Sequence, residues 1–177
     1  MDPDALLACE FAALRAQNTP LDPPFPDLFL TRVDFLLSEP ALLECALDAL
    51  DGGRVCCVRA PSGRELWQVA SGTLGRRGSG ARAAPPLSGV DLPGSGLCAP
   101  GDGSGAGPAY TVLLGGAGCC TCLDFRRRVA ALKNEGRFCA HLLAATLAAA
   151  ARGAPAKQRG VSDEELARLL CGALAAH

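Results

Sequence analysis

The chain has 177 residues, enough for one domain with a buried core, and 49 % of them are hydrophobic but only 5 % aromatic, which favours packed helices over a β-sandwich. Its longest nearly apolar stretch, 138–151, falls short of the ~20 residues that span a bilayer and contains His141, so no membrane span is expected; the opening Met1-Asp2-Pro3-Asp4 is acidic where a secretory leader is basic. The formal net charge of −1 conceals a split, with residues 1–53 at −8, 54–160 at +9 and 161–177 at −2, which reads either as solvated faces or as a central segment that meets an anionic partner.

In chain order, Asp2-Pro3 places a capping residue before a proline at the first helical position. Leu7, Phe11 and Leu14 follow at i, i+4 and i+7, so a helix is predicted over 3–16. Four prolines between residues 19 and 26 make a connector. Phe29, Val33 and Leu36 repeat the helical spacing. Ser38 can cap a third helix that carries Leu43, Ala46, Leu47 and Leu50 on one face, and Gly52-Gly53 ends it.

The pattern then becomes β-prone. Arg54 to Val58, a Pro61-Ser62-Gly63 turn, and Leu66, Trp67 and Val69 predict a hairpin over 54–69, and residues 110–114 predict a third strand. Between them, residues 75–108 hold ten glycines and five prolines in 34 positions. So little apolar surface cannot offset the entropy of ordering, and a disordered insertion is expected. As a lengthened hairpin loop it costs little, because closure entropy grows slowly with length. At the end of the chain, Ser162 and Glu165 read as a capping box. Leu166, Leu169, Leu170, Ala173 and Leu174 give that helix an apolar stripe, for the chain's own core or for a partner.

Ten cysteines are too many to be incidental, and with no leader expected they are read as reduced thiols, some buried and some bound to metal. Cys120-Thr121-Cys122 is followed, after sixteen residues, by Cys139-Ala140-His141. Three thiolates and an imidazole complete a tetrahedral set for Zn2+. One intervening residue lets each pair of donors converge where the backbone turns tightly, and Gly115, Gly116 and Gly118 ease such a turn. The second pair sits where a helix carrying Leu142, Leu143 and Leu147 begins. Spacing alone leaves Cys119-x-x-Cys122 open as the first pair.

Between the pairs, Phe125, Val129 and Leu132 predict a short helix that Asn134 and Gly136 can end. Arg126, Arg127, Arg128, Lys133 and Arg137 give this segment a basic surface, opposed by Asp124 and Glu135. These five are candidate nucleic-acid contacts, through phosphate, or a solvated helix face.

The constellation Cys120-x-Cys122…Cys139-x-His141 resembles the SWIM zinc-finger motif, C-x-C…C-x-H. Ala144 extends it to C-x-H-x-x-A, the form found in SWIM subunits of Shu-type recombination complexes. Ala60-Pro61-Ser62-Gly63-Arg64 with Trp67-Gln68-Val69, the run from Phe138 to Ala144, and Val161-Ser162-Asp163 are also similar to that family. The similarity is clearest over 54–72 and 110–175. Residues 75–108 depart from it, since the family joins these strands with a short link.

The resemblance implies Cys120 rather than Cys119 as first ligand, zinc as the metal, and Ala144 as a small structural residue one turn beyond His141. It further implies a nuclear protein of homologous recombination that pairs with a RecA-like ATPase paralogue. Such a pair supports the strand-exchange recombinase on single-stranded DNA.

Catalytic classes find little support. There is no G-x-x-x-x-G-K-[ST] phosphate loop. The two histidines are His141 and His177, so a Cys-His nucleophile lacks its base. Four protein ligands leave zinc no position for water, and no βαβ pattern surrounds a Cys119/Cys122 redox pair. No recognition helix is present, and single-strand stacking platforms need aromatics that are scarce here.

The expectation is a non-enzymatic adaptor. A zinc-stabilised interaction module in transcription or ubiquitin signalling, where SWIM motifs also occur, is the alternative. The expected fold is α+β: an N-terminal helical region over 1–53, a β-hairpin with the SWIM-type site over 54–74 and 109–153, the insertion over 75–108, and a C-terminal helix over 154–177.

Overall fold

The computed structural model describes residues 3–16, 25–37, 39, 41–71, 108–115, 118–130, 138–151 and 156–175. The fold is α+β, with six helices and a five-stranded mixed sheet. Three helices come first: α1 (Pro3–Ala16), α2 (Asp27–Leu36) and α3 (Ala41–Asp51). Strands β1 (Val55–Arg59), β2 (Glu65–Ala70), β3 (Ala109–Leu113) and β4 (Cys119–Cys120) follow, then α4 (Leu123–Ala130), α5 (Ala140–Ala150), β5 (Lys157–Gly160) and α6 (Asp163–Ala175). The glycine stop after α3 forms as expected. Gly53 adopts φ 59°, a left-handed conformation that favours glycine, and the amides of Gly52 and Arg54 close on the carbonyls of Asp48 and Ala49.

The sheet runs β4-β3-β2-β1-β5. The β1–β2 hairpin pairs Val55 with Val69 and Val58 with Leu66, and β3 continues antiparallel on β2 with Trp67 opposite Val112. Two strands went unrecognised in the sequence. β4 is two residues long and pairs Val112 with Cys120, while β5 lies parallel to β1, Cys57 opposite Gln158. Residues 72–107, which hold nearly all of the expected insertion, lie outside the described residues. Its ends are adjacent, because Ser71 donates its amide to the carbonyl of Pro108 at 3.0 Å.

Alternation along the strands gives the sheet two buried faces. One face presents Val55, Cys57, Trp67, Val69, Val112 and Cys120 to a core shared with α3 and α5. The other presents Cys56, Val58 and Leu66 to Val161, two residues ahead of α6, and to Leu166 within it. α5 is apolar around its whole circumference, with Leu142, Leu143, Ala144, Ala145, Leu147, Ala148 and Ala150 all buried, as a helix wedged between a sheet and other helices must be. Its one buried hydroxyl, Thr146, donates to the carbonyl of Leu142 at 2.8 Å. α1 and α2 pack through an edge-to-face pair, Phe11 and Phe29, centroids 5.8 Å apart, and Phe11 also meets Phe138 just ahead of the second donor pair. No helix among the described residues is long and apolar enough to cross a membrane.

Candidate metal centre

Each donor is placed by a local backbone feature. Cys120 ends β4, opposite Val112, and points with it into the α5 face of the sheet. Thr121, the residue between the first two donors, is pinned to β3 on both sides: its amide donates to the carbonyl of Thr111, and its Oγ1 accepts the Thr111 amide, each at 3.0 Å. That clamp turns the chain so that Cys122 falls at the entry to α4. Cys139 is the N-cap of α5, with φ −105° and ψ 165°, and His141 lies in that helix's first turn. Gly118, at φ 69°, leads into β4 in a conformation that β-carbon residues rarely adopt, and a β-carbon there would also meet Leu142 at 3.1 Å.

The four donor atoms, three sulfurs and an imidazole nitrogen, all lie within 4.8 Å of one another, with the cysteines buried and His141 half-buried. This cluster can hold a metal ion. Cys119 stays outside it. It is half-buried against the same core, but its sulfur is not among the donors that converge.

Every sulfur accepts a backbone N–H: Cys120 from Cys122 at 3.5 Å, Cys122 from Phe125 at 3.3 Å and Cys139 from Leu142 at 3.4 Å. Two of these donors belong to first turns of helices, where free amides and the helix dipole favour negative charge. The thiols are coupled. Hydrogen bonds to Cys122 and Cys139, then burial, drive the Cys120 thiol well up, and Cys122 is driven well down as the acceptor of hydrogen bonds from Cys120 and Cys139. The bond from Cys120 lowers Cys139, but donation to Cys122 and burial outweigh it, and Cys139 is pushed up to about 12. Nδ1 of His141 is buried without a hydrogen-bond partner, a vacancy of the kind metal ligation fills.

Tyr110, which the sequence did not single out, covers the imidazole with ring centroids 4.5 Å apart. It lies on β3 two residues before Val112, the partner of Cys120, so strand alternation brings it to the same face. Its phenol is pushed up by burial and then by the nearby Cys122 and Cys120. Ala144 is fully buried in α5, in the same core as Cys120 and Cys139.

The basic residues separate into distinct roles. Arg126 and Arg127 are exposed on α4. Arg128 is engaged: its Nη2 donates to both carboxylate oxygens of Glu39 at 2.9 and 2.8 Å, and its Nε to Asp124 at 3.1 Å, with the side chain 15 % exposed. It fastens α4 to the chain entering α3. Lys133 and Arg137 lie outside the described residues. No protein-family model, curated protein or solved structure matches the chain.

Proposed function

We propose that the cluster is a structural zinc site and that the chain is a non-enzymatic adaptor of homologous-recombination repair, acting in the nucleus with a RecA-like ATPase paralogue. The observation that carries this reading is the convergence of Cys120, Cys122, Cys139 and His141, the donors of the C-x-C…C-x-H pattern, into one buried set that leaves Cys119 out. Zinc fits the chemistry. It is bound by thiolate and imidazole, and Zn–S bonds of ~2.3 Å hold two tetrahedral sulfurs about 3.8 Å apart, so donors within 4.8 Å close on it with small shifts.

The metal's contribution is architectural. Its ligands come from the end of β4, the residue before α4, and the N-cap and first turn of α5, so binding locks two helix starts to the sheet edge. Four protein ligands occupy a tetrahedral ion fully and leave no place for reacting water. In this reading the pair with the ATPase supports the recombinase on single-stranded DNA, and phosphate contact by this chain falls to Arg126 and Arg127, since Arg128 is already paired.

The test is affinity capture of the tagged full chain from cells carrying DNA breaks, with mass spectrometry of the eluate. The expected result is a near-stoichiometric RecA-fold ATPase that is lost with Cys122→Ala. A zinc-loaded, folded chain that captures transcription or ubiquitin-pathway proteins and no RecA-fold protein overturns the recombination assignment and leaves the metal site standing.

A further inference from the structure

The two helices that expose the large apolar side chains also carry opposite charge. On α2, Leu28 (65 % exposed) and Phe35 (87 %) lie seven residues apart on one stripe, away from the buried Phe29 and Val33. The exposed Asp27 and Asp34 flank this stripe on one side, and Arg32 on the other is held by Glu10 at 3.5 Å. On α4, Leu123 (57 % exposed), Arg126, Arg127 and Ala130 fall at i, i+3, i+4 and i+7, all exposed, with Val129 (49 %) alongside, while Phe125 anchors the buried side. Asp27, Asp34, Arg126 and Arg127 have no ion-pair partner among the described residues. The Arg128–Glu39 pair ties α4 to the chain just beyond the end of α2.

We propose that these two faces form one self-complementary surface whose occupant is a second copy of this chain, with α2 of each copy lying on α4 of the other about a twofold axis. A twofold operation sets each patch against its complement twice, so neighbouring patches of opposite charge close into a symmetric dimer without leaving either patch open to a third copy. A partner of one charge sign suits only one of the two patches. The contact is modest: α2 has ten residues and α4 eight, so the helices are ~15 and ~12 Å long. The dimer is accordingly reversible and weakened by salt. This proposal needs no other protein, and it gives Arg126 and Arg127 to the dimer contact where the recombination reading gives them to phosphate.

Sedimentation velocity of the zinc-loaded full chain, from about 1 to about 100 μM at low salt, reads it in the concentration range of weak complexes. The weight-average mass is expected to rise from 18.1 kDa toward twice that value. Phe35→Asp, a change at an exposed position that circular dichroism checks for folding, should leave a monomer. Arg126→Glu with Arg127→Glu should weaken association about tenfold or more, and adding Asp27→Arg with Asp34→Arg to that chain should restore it. A monomer at every concentration overturns the proposal, as does a dimer indifferent to Phe35→Asp and to charge reversal, or a reversed pair that fails to recover. A monomeric wild type whose Phe35→Asp variant loses a captured protein assigns the face to that protein and also overturns it.

Discussion

Cys119 and Cys120 are chemically identical neighbours, and one peptide unit decides which of them belongs to the cluster. Cys120 joins the other three donors, and Cys119, half-buried beside the same core, does not. Cys119→Ala should therefore retain one metal per chain by elemental analysis, whereas Cys122→Ala or His141→Ala should lose it. Metal loss in Cys119→Ala would exchange the ligands. Protonation makes a second prediction at this scale. In the metal-free chain Cys120 and Cys139 are raised, Cys139 to about 12, by hydrogen bonding to Cys122 and burial, while Cys122 is lowered. An ion must displace two protons, which compete with it as pH falls. Apparent affinity should then rise about a hundredfold from pH 7 to pH 8, measured by competition with a chelator of known affinity, and a flat profile would contradict the coupled thiols. The donors were legible in the sequence because their residue types and spacing are themselves the chemistry. Tyr110 was not, because an isolated tyrosine in a strand carries no sign of the ring it will cover.

At the level of elements, α6 shows how a sequence signal can be half realised. Ser162 Oγ accepts the Glu165 amide at 3.2 Å, as a capping residue should, but the Glu165 carboxylate takes Arg159 of β5 at 2.9 Å instead of returning to the cap. Asp163 adds a bond from the Ser62 hydroxyl that ties the β1–β2 turn to the helix start. Ser162→Ala should cost about 0.5–2 kcal/mol in denaturant unfolding. Leu166 is 1 % exposed in the smaller core, so Leu166→Ala should cost about 2–5 kcal/mol, and a change under 1 kcal/mol would make α6 a peripheral tail. The long helices and the hairpin were readable because their apolar period reports a buried face. β5 was not: Lys157-Gln158-Arg159-Gly160 is an edge strand with no β-branched or apolar alternation, and only its pairing with β1 defines it. β4 is too short to have a period at all.

Across the whole molecule, two connections decide whether the chain folds as one unit. The first is between β2 and β3. Ser71 and Pro108 are already hydrogen-bonded, so residues 72–107 can be replaced by a short glycine-containing turn without moving either strand. Because closure entropy changes slowly with length, the shortened chain should keep its melting temperature within a few degrees or gain slightly. Unfolding would show that the segment carries structure the sheet requires. The second is the four-donor cluster, through which a bound ion would join the β4 edge of the sheet to the starts of α4 and α5. Apparent binding energies of roughly 10–16 kcal/mol for small structural zinc sites equal or exceed the net stability of a typical domain, so removing the ion should release the segment from 118 onward before the β1–β2 hairpin. X-ray absorption at the zinc edge of the purified full chain tests the centre most directly. Three sulfurs at ~2.3 Å and one nitrogen at ~2.0–2.1 Å from a single zinc are the predicted shell. A folded chain without zinc, or a four-sulfur shell that brings in Cys119 and excludes His141, would contradict it.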